Sequence, residues 1–248
     1  MNTREEPSKP FGESDFLLVA RDLGLQVDDR WLFQKLHLEL RAGEFIALSG
    51  PSGVGKTSLL HALAGMRKPT AGTICFPFLG PEQESIAEAR KHLGIIFQDL
   101  LLTPNATLLQ NVACGRLKDH SSLRTFFGFP SREQDSAFAL LDELGLGAAV
   151  DKWVAETSRG EQQRVAIARA LHQDPIIYLA DEPVASLDEA LADQVLASLS
   201  EQGRKEGKAI LCVLHDARQI ERFADRVIEL GSAKPEGWSI RNKGESSQ

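Results

Sequence analysis

The chain has 248 residues, of which 42% are hydrophobic, 25% are charged and 6% are aromatic. These values are typical of a folded globular protein with a sizeable core in one or two domains, and they exclude the disordered, collagen-like and coiled-coil classes. The net charge of −7, with no strongly basic stretch, argues against nucleic acid as a partner bound through phosphate neutralisation.

The sequence contains no apolar run near the roughly 20 residues that a membrane-spanning helix needs. Its three cysteines, Cys75, Cys114 and Cys212, lie far apart and form no CxxC pair, so neither a disulfide framework nor a zinc site is expected. Residues 1–11 are charged and lack the apolar core of a secretory signal. We therefore expect a reducing, cytoplasmic environment.

The two ends of the chain are predicted to be disordered tails. Residues 1–14 and 233–248 are rich in Lys, Glu, Ser, Pro and Gly, a composition that cannot build a core. A single domain of residues 15–232 is expected between them.

The first part of this domain is predicted to form β-strands. Two short apolar runs, a segment with period-two alternation and a continuous apolar run follow one another at Phe16–Ala20, Leu23–Val27, Leu36–Leu40 and Phe45–Ser49. Alternation is typical of a half-buried strand, whereas a continuous run is typical of a central strand covered on both faces. A turn at residues 41–44 separates these last two strands.

The remainder of the domain combines helix and strand patterns. An inserted helical subdomain is predicted at about residues 99–160, with a helix that begins near Ser131 and ends at Gly145. The later elements are helices at Glu161–His172 and Glu189–Lys205 and strands at Ile176–Ala180, Ala209–Leu214 and Arg226–Leu230. Strands that alternate with helices predict an α/β fold with a parallel sheet covered on both faces.

A glycine-rich segment between a predicted buried strand and a predicted helix matches the GxxxxGK(S/T) pattern. Its residues are Gly50, Pro51, Ser52, Gly53, Val54, Gly55, Lys56 and Thr57, and Ser58 continues into the helix. Glycines let a backbone wrap closely around phosphates, and successive N–H groups with the helix N-terminus supply a positive field. We expect Lys56 to neutralise the β- and γ-phosphates of a nucleotide and the Thr57 hydroxyl to bind Mg²⁺.

An acidic pair follows a second predicted buried strand. Asp181 and Glu182 come directly after Ile176–Ala180, at the carboxyl end of the strand, where ligands bind in open α/β sheets. Asp181 is expected to hold Mg²⁺ through water. Glu182 is expected to be the general base that activates the attacking water.

Six segments occur in the order typical of the ATP-binding cassette (ABC) family, which the chain resembles from Phe16 to Leu230. They are Gly50–Thr57, Phe97–Asp99, Thr157–Arg164, Asp181–Pro183, Ser186–Asp188 and His215–Asp216. The resemblance implies a P-loop NTPase core with a mixed sheet, an N-terminal antiparallel β-subdomain and an inserted helical subdomain. It also implies an enzyme that binds ATP and Mg²⁺ and hydrolyses ATP.

The resemblance implies further roles for single residues. Gln98 matches a residue that contacts Mg²⁺ and the attacking water, and His215 matches one that binds the γ-phosphate and the water. Ser158 and Gly160 match the signature loop, which in this family binds the γ-phosphate of ATP held by the other subunit. Asp188 matches a residue at the dimer seam. A homodimer with ATP sandwiched between two copies is therefore expected.

The signature loop departs from the family pattern. It usually reads Leu-Ser-Gly-Gly-Gln, whereas this chain has Thr157-Ser158-Arg159-Gly160-Glu161. Tolerated drift in a working ATPase and an impaired site are the two interpretations. We expect an active site in which the Arg159 guanidinium lies beside the γ-phosphate and partly offsets the charge of Glu161.

The adenine site departs from the pattern as well. Val27 occupies the position of the aromatic residue that usually stacks on the base. Trp31 or Phe33 could substitute from nearby, or the stacking could be missing.

A single cassette without a fused membrane-spanning segment implies, in this family, an ATPase subunit bound to separate integral-membrane permease subunits at the cytoplasmic face of the membrane. Residues 115–141 and 179–188 look like ATPase subunits of phosphonate importers, which also work with a substrate-binding protein. Phosphonate or a related anion is therefore the expected cargo. The alternatives are an export or lipoprotein-release ATPase, in which Glu at the position of Glu161 also occurs, and a nucleotide-dependent regulatory module.

An apolar run directly after Gln98 has two interpretations. Leu100, Leu101 and Leu102 belong to the core if they are buried, as contiguous apolar residues normally are. The alternative is that part of residues 98–115 forms a groove for a permease helix.

Overall fold

The computed structural model describes residues 15–80, 85–119, 129–231 and 235–243. The predicted tail at residues 1–14 lies outside the described residues, and so does part of the segment that resembles phosphonate importers, residues 120–128. The strands are β1 (Phe16–Val27), β2 (Arg30–Arg41), β3 (Phe45–Ser49), β4 (Ala71–Cys75), β5 (Leu93–Ile96), β6 (Ile177–Ala180), β7 (Ala209–Val213), β8 (Arg226–Leu230) and β9 (Trp238–Asn242).

Seven α-helices are present in the described residues. They are α1 (Lys56–Leu63), α2 (Ile86–Ala89), α3 (Leu108–Ala113), α4 (Ser131–Glu143), α5 (Arg159–Gln173), α6 (Glu189–Glu206) and α7 (Ala217–Phe223). Short 3-10 turns lie at Pro77–Leu79, Arg90–His92, Cys114–Asp119, Gly147–Ala149 and Val154–Glu156. None of the described helices is both long enough and apolar enough to cross a membrane.

The smaller sheet is antiparallel, with the strand order β2-β1-β4. The strands predicted at Phe16–Ala20 and Leu23–Val27 are two halves of β1. The chain passes between them through Asp22, which has a φ of 49°, and the register with β2 shifts at this point. The antiparallel N-terminal subdomain is thus as expected, and β4 was not recognised because its Ala71–Cys75 segment is short and mostly exposed.

The larger sheet has the order β5-β6-β7-β3-β8-β9, in which the first five strands are parallel and β9 is antiparallel to β8. Every residue of β6 and β7 is buried, because layers of side chains cover both faces. One layer joins Ile46 and Leu48 of β3 to β1, β2 and α1, and the other joins Phe45 and Ala47 to α5 and α6. The expected α/β fold with a mixed sheet is confirmed.

The described residues 235–243 differ from the predicted tail over residues 233–248, of which residues 233–234 and 244–248 lie outside the described part of the chain. Residues Trp238–Asn242 form β9 and complete the edge of the large sheet. The Trp238 indole N–H donates to the Gln34 carbonyl oxygen at 3.1 Å, which anchors the strand to β2. A polar segment can form such an edge strand because the backbone ladder supplies the pairing, and its composition therefore did not reveal it.

The predicted helical insertion contains α3, α4 and the first two residues of α5. Leu108 and Val112 of α3 and Leu141 of α4 are buried in the core layer that also contains Val165 of α5. Helix α4 begins at Ser131 as its first helical residue, with Pro130 as the N-cap. Extended chain and turns rather than helix occupy residues 99–107, and this stretch follows directly from the parallel edge strand β5.

Candidate active site

The predicted phosphate loop lies between β3 and α1 and needs its glycines. Gly50 has a φ of 135°, and a Cβ atom there would come within 2.4 Å of the Leu230 carbonyl oxygen. A side chain would therefore both strain the backbone and collide with β8. The buried Lys56 ammonium donates to the carbonyl oxygens of Gly50 at 2.8 Å and Pro51 at 3.0 Å. The loop thus holds a cation beside the positive end of α1, as an anion site requires.

The carboxyl group of Asp181 lies against this loop. Asp181 is buried, its backbone N–H donates to the Ile96 carbonyl oxygen at 2.8 Å, and its carboxyl group is hydrogen-bonded to the Thr57 side chain. Burial raises the pKa of Asp181, the bond from Thr57 opposes this, and the charge of Glu182 raises the pKa further. The Oδ2 atom finds no hydrogen-bond partner among the described residues. A buried carboxylate oxygen of this kind, next to a hydroxyl, is an oxygen donor set that suits a hard divalent cation.

Glu182 pairs with His215 across the ends of β6 and β7. The His215 Nε2 and Glu182 Oε1 atoms are 2.8 Å apart, and the two side chains are 52% and 28% exposed. Glu182 has a φ of 51°, in the left-handed region that is unfavourable for a residue with a side chain. The Gln163 amide of α5 holds this backbone by donating to the carbonyl oxygens of Glu182 at 3.3 Å and Pro183 at 2.6 Å. The carboxylate is therefore fixed at the edge of an open cavity of about 400 Å³.

Gln98 is exposed and lies two residues beyond β5. The loop that follows has unusual backbone, since Leu100 and Leu101 have φ values of 60° and 45°. Arg169 of α5 donates to the carbonyl oxygens of both residues, at 2.7 Å and 2.8 Å. Leu100 is buried, Leu102 is partly buried against the core, and Leu101 is 56% exposed. The apolar run is thus divided between core and surface, and a permease groove here stays a prediction.

The signature turn caps α5. The Ser158 N–H and hydroxyl donate to Glu161 Oε2 at 2.8 Å and 2.7 Å, and the Glu161 N–H donates to Ser158 Oγ at 3.3 Å. These bonds, above all the one from the Ser158 N–H, lower the pKa of Glu161. Arg159 turns elsewhere and donates to the Gln98 carbonyl oxygen. In the described part of the chain Arg159 therefore makes no ion pair with Glu161, and the expectation that it offsets the charge of Glu161 beside a phosphate stays a prediction.

The structure brings together some of the predicted residues and leaves others apart. One site contains Lys56, Thr57, Asp181, Glu182 and His215. Asp188 instead caps α6 by accepting from the Leu191 N–H at 3.0 Å, and a Cβ on Gly160 would lie 3.3 Å from the Ser186 carbonyl oxygen. Within the described part of the chain, no hydrogen bond joins Ser158, Gly160 or Asp188 to residues 50–57.

Trp31 and Phe33, the two residues considered for stacking on adenine, differ in their contacts. Phe33 is 1% exposed and belongs to the core, so it offers no free ring face. The Trp31 ring packs over Gly24, and its Cζ3 atom would lie 3.0 Å from a Cβ atom added at that glycine. Leu32 was not among the predicted residues. Its Cβ atom would lie 3.1 Å from a Cβ atom added at Gly55 of the phosphate loop. The Phe33 Cδ1 atom lies 3.7 Å from the same point, so both neighbouring residues of β2 border the phosphate loop.

Comparison with known proteins identifies similar chains. Residues 33–185 match the protein family described as ABC transporter. The chain is 36% identical over 206 residues to the phosphonates import ATP-binding protein PhnC of Trichormus variabilis, covering 83% of this chain and 84% of the relative. It is 39% identical over 199 residues to the phosphite import ATP-binding protein PxtA of Stutzerimonas stutzeri, covering 79% of this chain and 72% of the relative.

A solved structure shares the whole architecture. A dimeric bacterial ABC transporter cassette, MJ0796, superposes with a TM-score of 0.80 and 25% sequence identity. The match covers 92% of this chain and 100% of that chain. The two chains therefore share a common fold over most of this chain.

Proposed function

This chain belongs to the ABC transporter family as its ATP-hydrolysing cassette, and we propose that it powers the import of a phosphonate or a related anion through separate permease subunits. The observation that carries the proposal is the phosphate loop joined through Thr57 to Asp181, with the Glu182–His215 pair beside it. This arrangement combines an anion site, a cation site and a general base.

The phosphate loop is proposed to bind the β- and γ-phosphates of ATP. The residues involved are Gly50, Pro51, Ser52, Gly53, Val54, Gly55, Lys56, Thr57 and Ser58. Backbone N–H groups and the N-terminus of α1 supply partial positive charge, and Lys56 supplies a full charge. Because Lys56 already lies against the loop carbonyls, the positive charge is in place before the nucleotide binds.

Mg²⁺ fits the donors beside the loop. The Thr57 hydroxyl and the unpartnered Asp181 Oδ2 atom would hold the cation, and Gln98 would approach it from the loop after β5. Bound Mg²⁺ supplies positive charge that neutralises the oxygens of the β- and γ-phosphates. A bound cation also favours the ionised form of Asp181, and it therefore opposes the rise in pKa that burial causes.

Glu182 is proposed to accept a proton from the attacking water, and His215 to orient that water and the γ-phosphate. The bond of 2.8 Å between His215 and Glu182 supports these roles, because it keeps the carboxylate and the imidazole on one side of the site. A general base must lie within hydrogen-bond reach of the proton that it removes.

Two copies of the chain are proposed to complete each other's site. The Ser158 hydroxyl and the Gly160 backbone lie at the N-terminus of α5, where Ser158 is exposed, and would bind the γ-phosphate held by the other copy. Asp188 would lie at the seam between the copies. The similar cassette MJ0796 is a dimer, which supports this arrangement.

The names of the relatives support a proposal for the cargo and for the location. Their names are phosphonates import and phosphite import ATP-binding proteins, so a phosphonate or a related phosphorus oxyanion is the proposed cargo. The chain would bind permease subunits at the cytoplasmic face of the membrane and would depend on a substrate-binding protein.

Uptake measurements test the transport function. Cells that express the chain together with permease and binding-protein subunits of a phosphonate or phosphite importer should accumulate that anion, and Glu182→Gln should abolish accumulation. Phosphate, sulfate and amino acids serve as control substrates. A complex with a permease that releases lipoproteins, with no uptake of any phosphorus anion, would support the export or release alternative instead.

The variant Asp181→Asn distinguishes the role of Asp181 in binding Mg²⁺ from its effect on the stability of the fold. Because burial raises the pKa of Asp181, the native state holds this proton more tightly than the unfolded chain does. At a pH above the ordinary carboxyl pKa of about 4, ionisation of Asp181 therefore lowers the stability of the native state. A neutral amide at this position removes that cost. The nucleotide-free variant should unfold at an equal or higher temperature than the wild type near neutral pH.

The same variant should lose affinity for Mg²⁺ in the presence of ATP by about 10- to 100-fold. Thermal denaturation and Mg²⁺ titration measure the two effects. A destabilised variant with unchanged Mg²⁺ affinity would contradict the assignment of Asp181.

A further inference from the structure

The Arg159 side chain joins the signature turn to the Gln98 loop of the same chain. Arg159 is the first helical residue of α5, and its Nη2 atom donates to the Gln98 carbonyl oxygen. At the other end of the loop, Arg169 donates to the carbonyl oxygens of Leu100 and Leu101. Helix α5 therefore holds residues 98–101 through two guanidinium groups.

The loop needs such support because its backbone is unfavourable. Leucine at positive φ is rare, and two such residues in succession persist only when surrounding groups hold them. Arg169 and the buried Leu100 hold the far end of the loop. Arg159 is exposed and holds the end that carries Gln98.

We propose that Arg159 is a positioning residue for Gln98. By holding the Gln98 carbonyl oxygen, it fixes where the Gln98 side chain stands relative to Thr57 and Asp181. This inference rests on the proposed function, because Gln98 has a role only where the site binds Mg²⁺ and ATP. It replaces the expectation that the Arg159 guanidinium faces the phosphate of the other copy.

The contact between Arg159 and the Gln98 carbonyl oxygen also connects ATP binding at the signature turn with the position of Gln98. Ser158 and Gly160 flank Arg159 on the exposed turn that would receive the γ-phosphate of the other copy. A displacement of this turn moves the guanidinium and, with it, the Gln98 carbonyl oxygen. Occupation of one site by ATP would therefore be transmitted to the Gln98 of the other site.

Kinetics of the full chain test the proposal through four variants. They are Arg159→Met, Arg159→Lys, Gln98→Ala and the double variant Arg159→Met with Gln98→Ala, with Arg132→Met on the exposed face of α4 as the matched control. Loss of a charge-assisted hydrogen bond at Arg159→Met should lower kcat about three- to tenfold, without changing the Kd of ATP. Arg159→Lys, which keeps a donor, should recover part of kcat.

The double variant decides whether Arg159 acts through Gln98. We expect it to have the same kcat as Gln98→Ala alone, because the two substitutions remove one function. Effects that multiply, or a loss of ATP-driven dimerisation at unchanged kcat, would overturn the proposal. No hydrolysis by the wild type and by Arg132→Met would instead refute the proposed function.

Hydrogen exchange supplies a readout that does not depend on activity. The Leu100 N–H donates to the Phe97 carbonyl oxygen at 3.0 Å and the Leu101 N–H to that of Asp99 at 2.7 Å. Both amides should exchange faster in Arg159→Met than in Arg132→Met, with unchanged exchange in the central strands. Equal exchange of the two amides in all variants would show that Arg159 does not hold the loop.

Discussion

Glu182→Gln is expected to lower the rate of ATP hydrolysis by about 10²- to 10⁴-fold while ATP binding stays intact. The amide occupies the same volume and can keep a hydrogen bond to His215, but it cannot accept the proton of the attacking water. Phosphate release at saturating ATP measures turnover, and equilibrium titration with ATP measures affinity. The variant should therefore separate chemistry from binding.

Glu143→Gln is the matched control, because Glu143 is exposed on α4 and makes the same change of charge. Its turnover should equal that of the wild type. Near-normal hydrolysis by Glu182→Gln would assign the general base to another group.

The variant Lys56→Ala is expected to weaken the binding of ATP itself. The Lys56 ammonium is buried and bonded to the carbonyl oxygens of Gly50 and Pro51, so its removal takes away both the charge and a contact that shapes the loop. Loss of a hydrogen bond from a charged donor to phosphate corresponds to roughly 10- to 100-fold weaker ATP binding.

Calorimetric titration with ATP measures this change, and Lys68→Ala, at an exposed position beyond α1, controls for the loss of one positive charge. Unchanged ATP affinity in Lys56→Ala would contradict the role of the phosphate loop. Equal losses in both variants would point to overall charge rather than to a specific contact.

The motifs allowed the family and the fold class to be predicted because each element of the site is local in sequence. The resemblance to the ABC family is confirmed by the family match and by the similarity to curated relatives. Strand β3, the loop after it and helix α1 were recognised from one continuous segment. The roles of the single site residues and the domain boundaries stay predictions.

Contacts between distant segments were beyond the reach of the sequence. Gln163 and Arg169 support the backbone after β6 and after β5, yet both occur in an ordinary amphipathic helix pattern. The unusual Arg159 was noticed, but a pattern does not tell where a long flexible side chain points. Its neighbour Glu161 was interpreted through its negative charge alone, whereas the structure shows that its carboxylate caps the N-terminus of α5.

Edge strands were missed for a different reason. Strands β4 and β9 are five residues long and contain no fully buried residue, so the apolar pattern on which strand prediction depends is weak in them. Their stability comes from backbone pairing with β1 and β8. Composition alone therefore assigned β9 to a tail.

The central claim is that two copies of this chain enclose ATP between the phosphate loop of one and the signature turn of the other. The most direct test is the mass of Glu182→Gln in solution by sedimentation, with and without ATP. The account predicts a monomer without nucleotide, a dimer with ATP, and loss of that dimer when Ser158→Tyr blocks the signature turn. A chain that stays monomeric at saturating ATP, or a dimer that forms equally without nucleotide, would contradict the account.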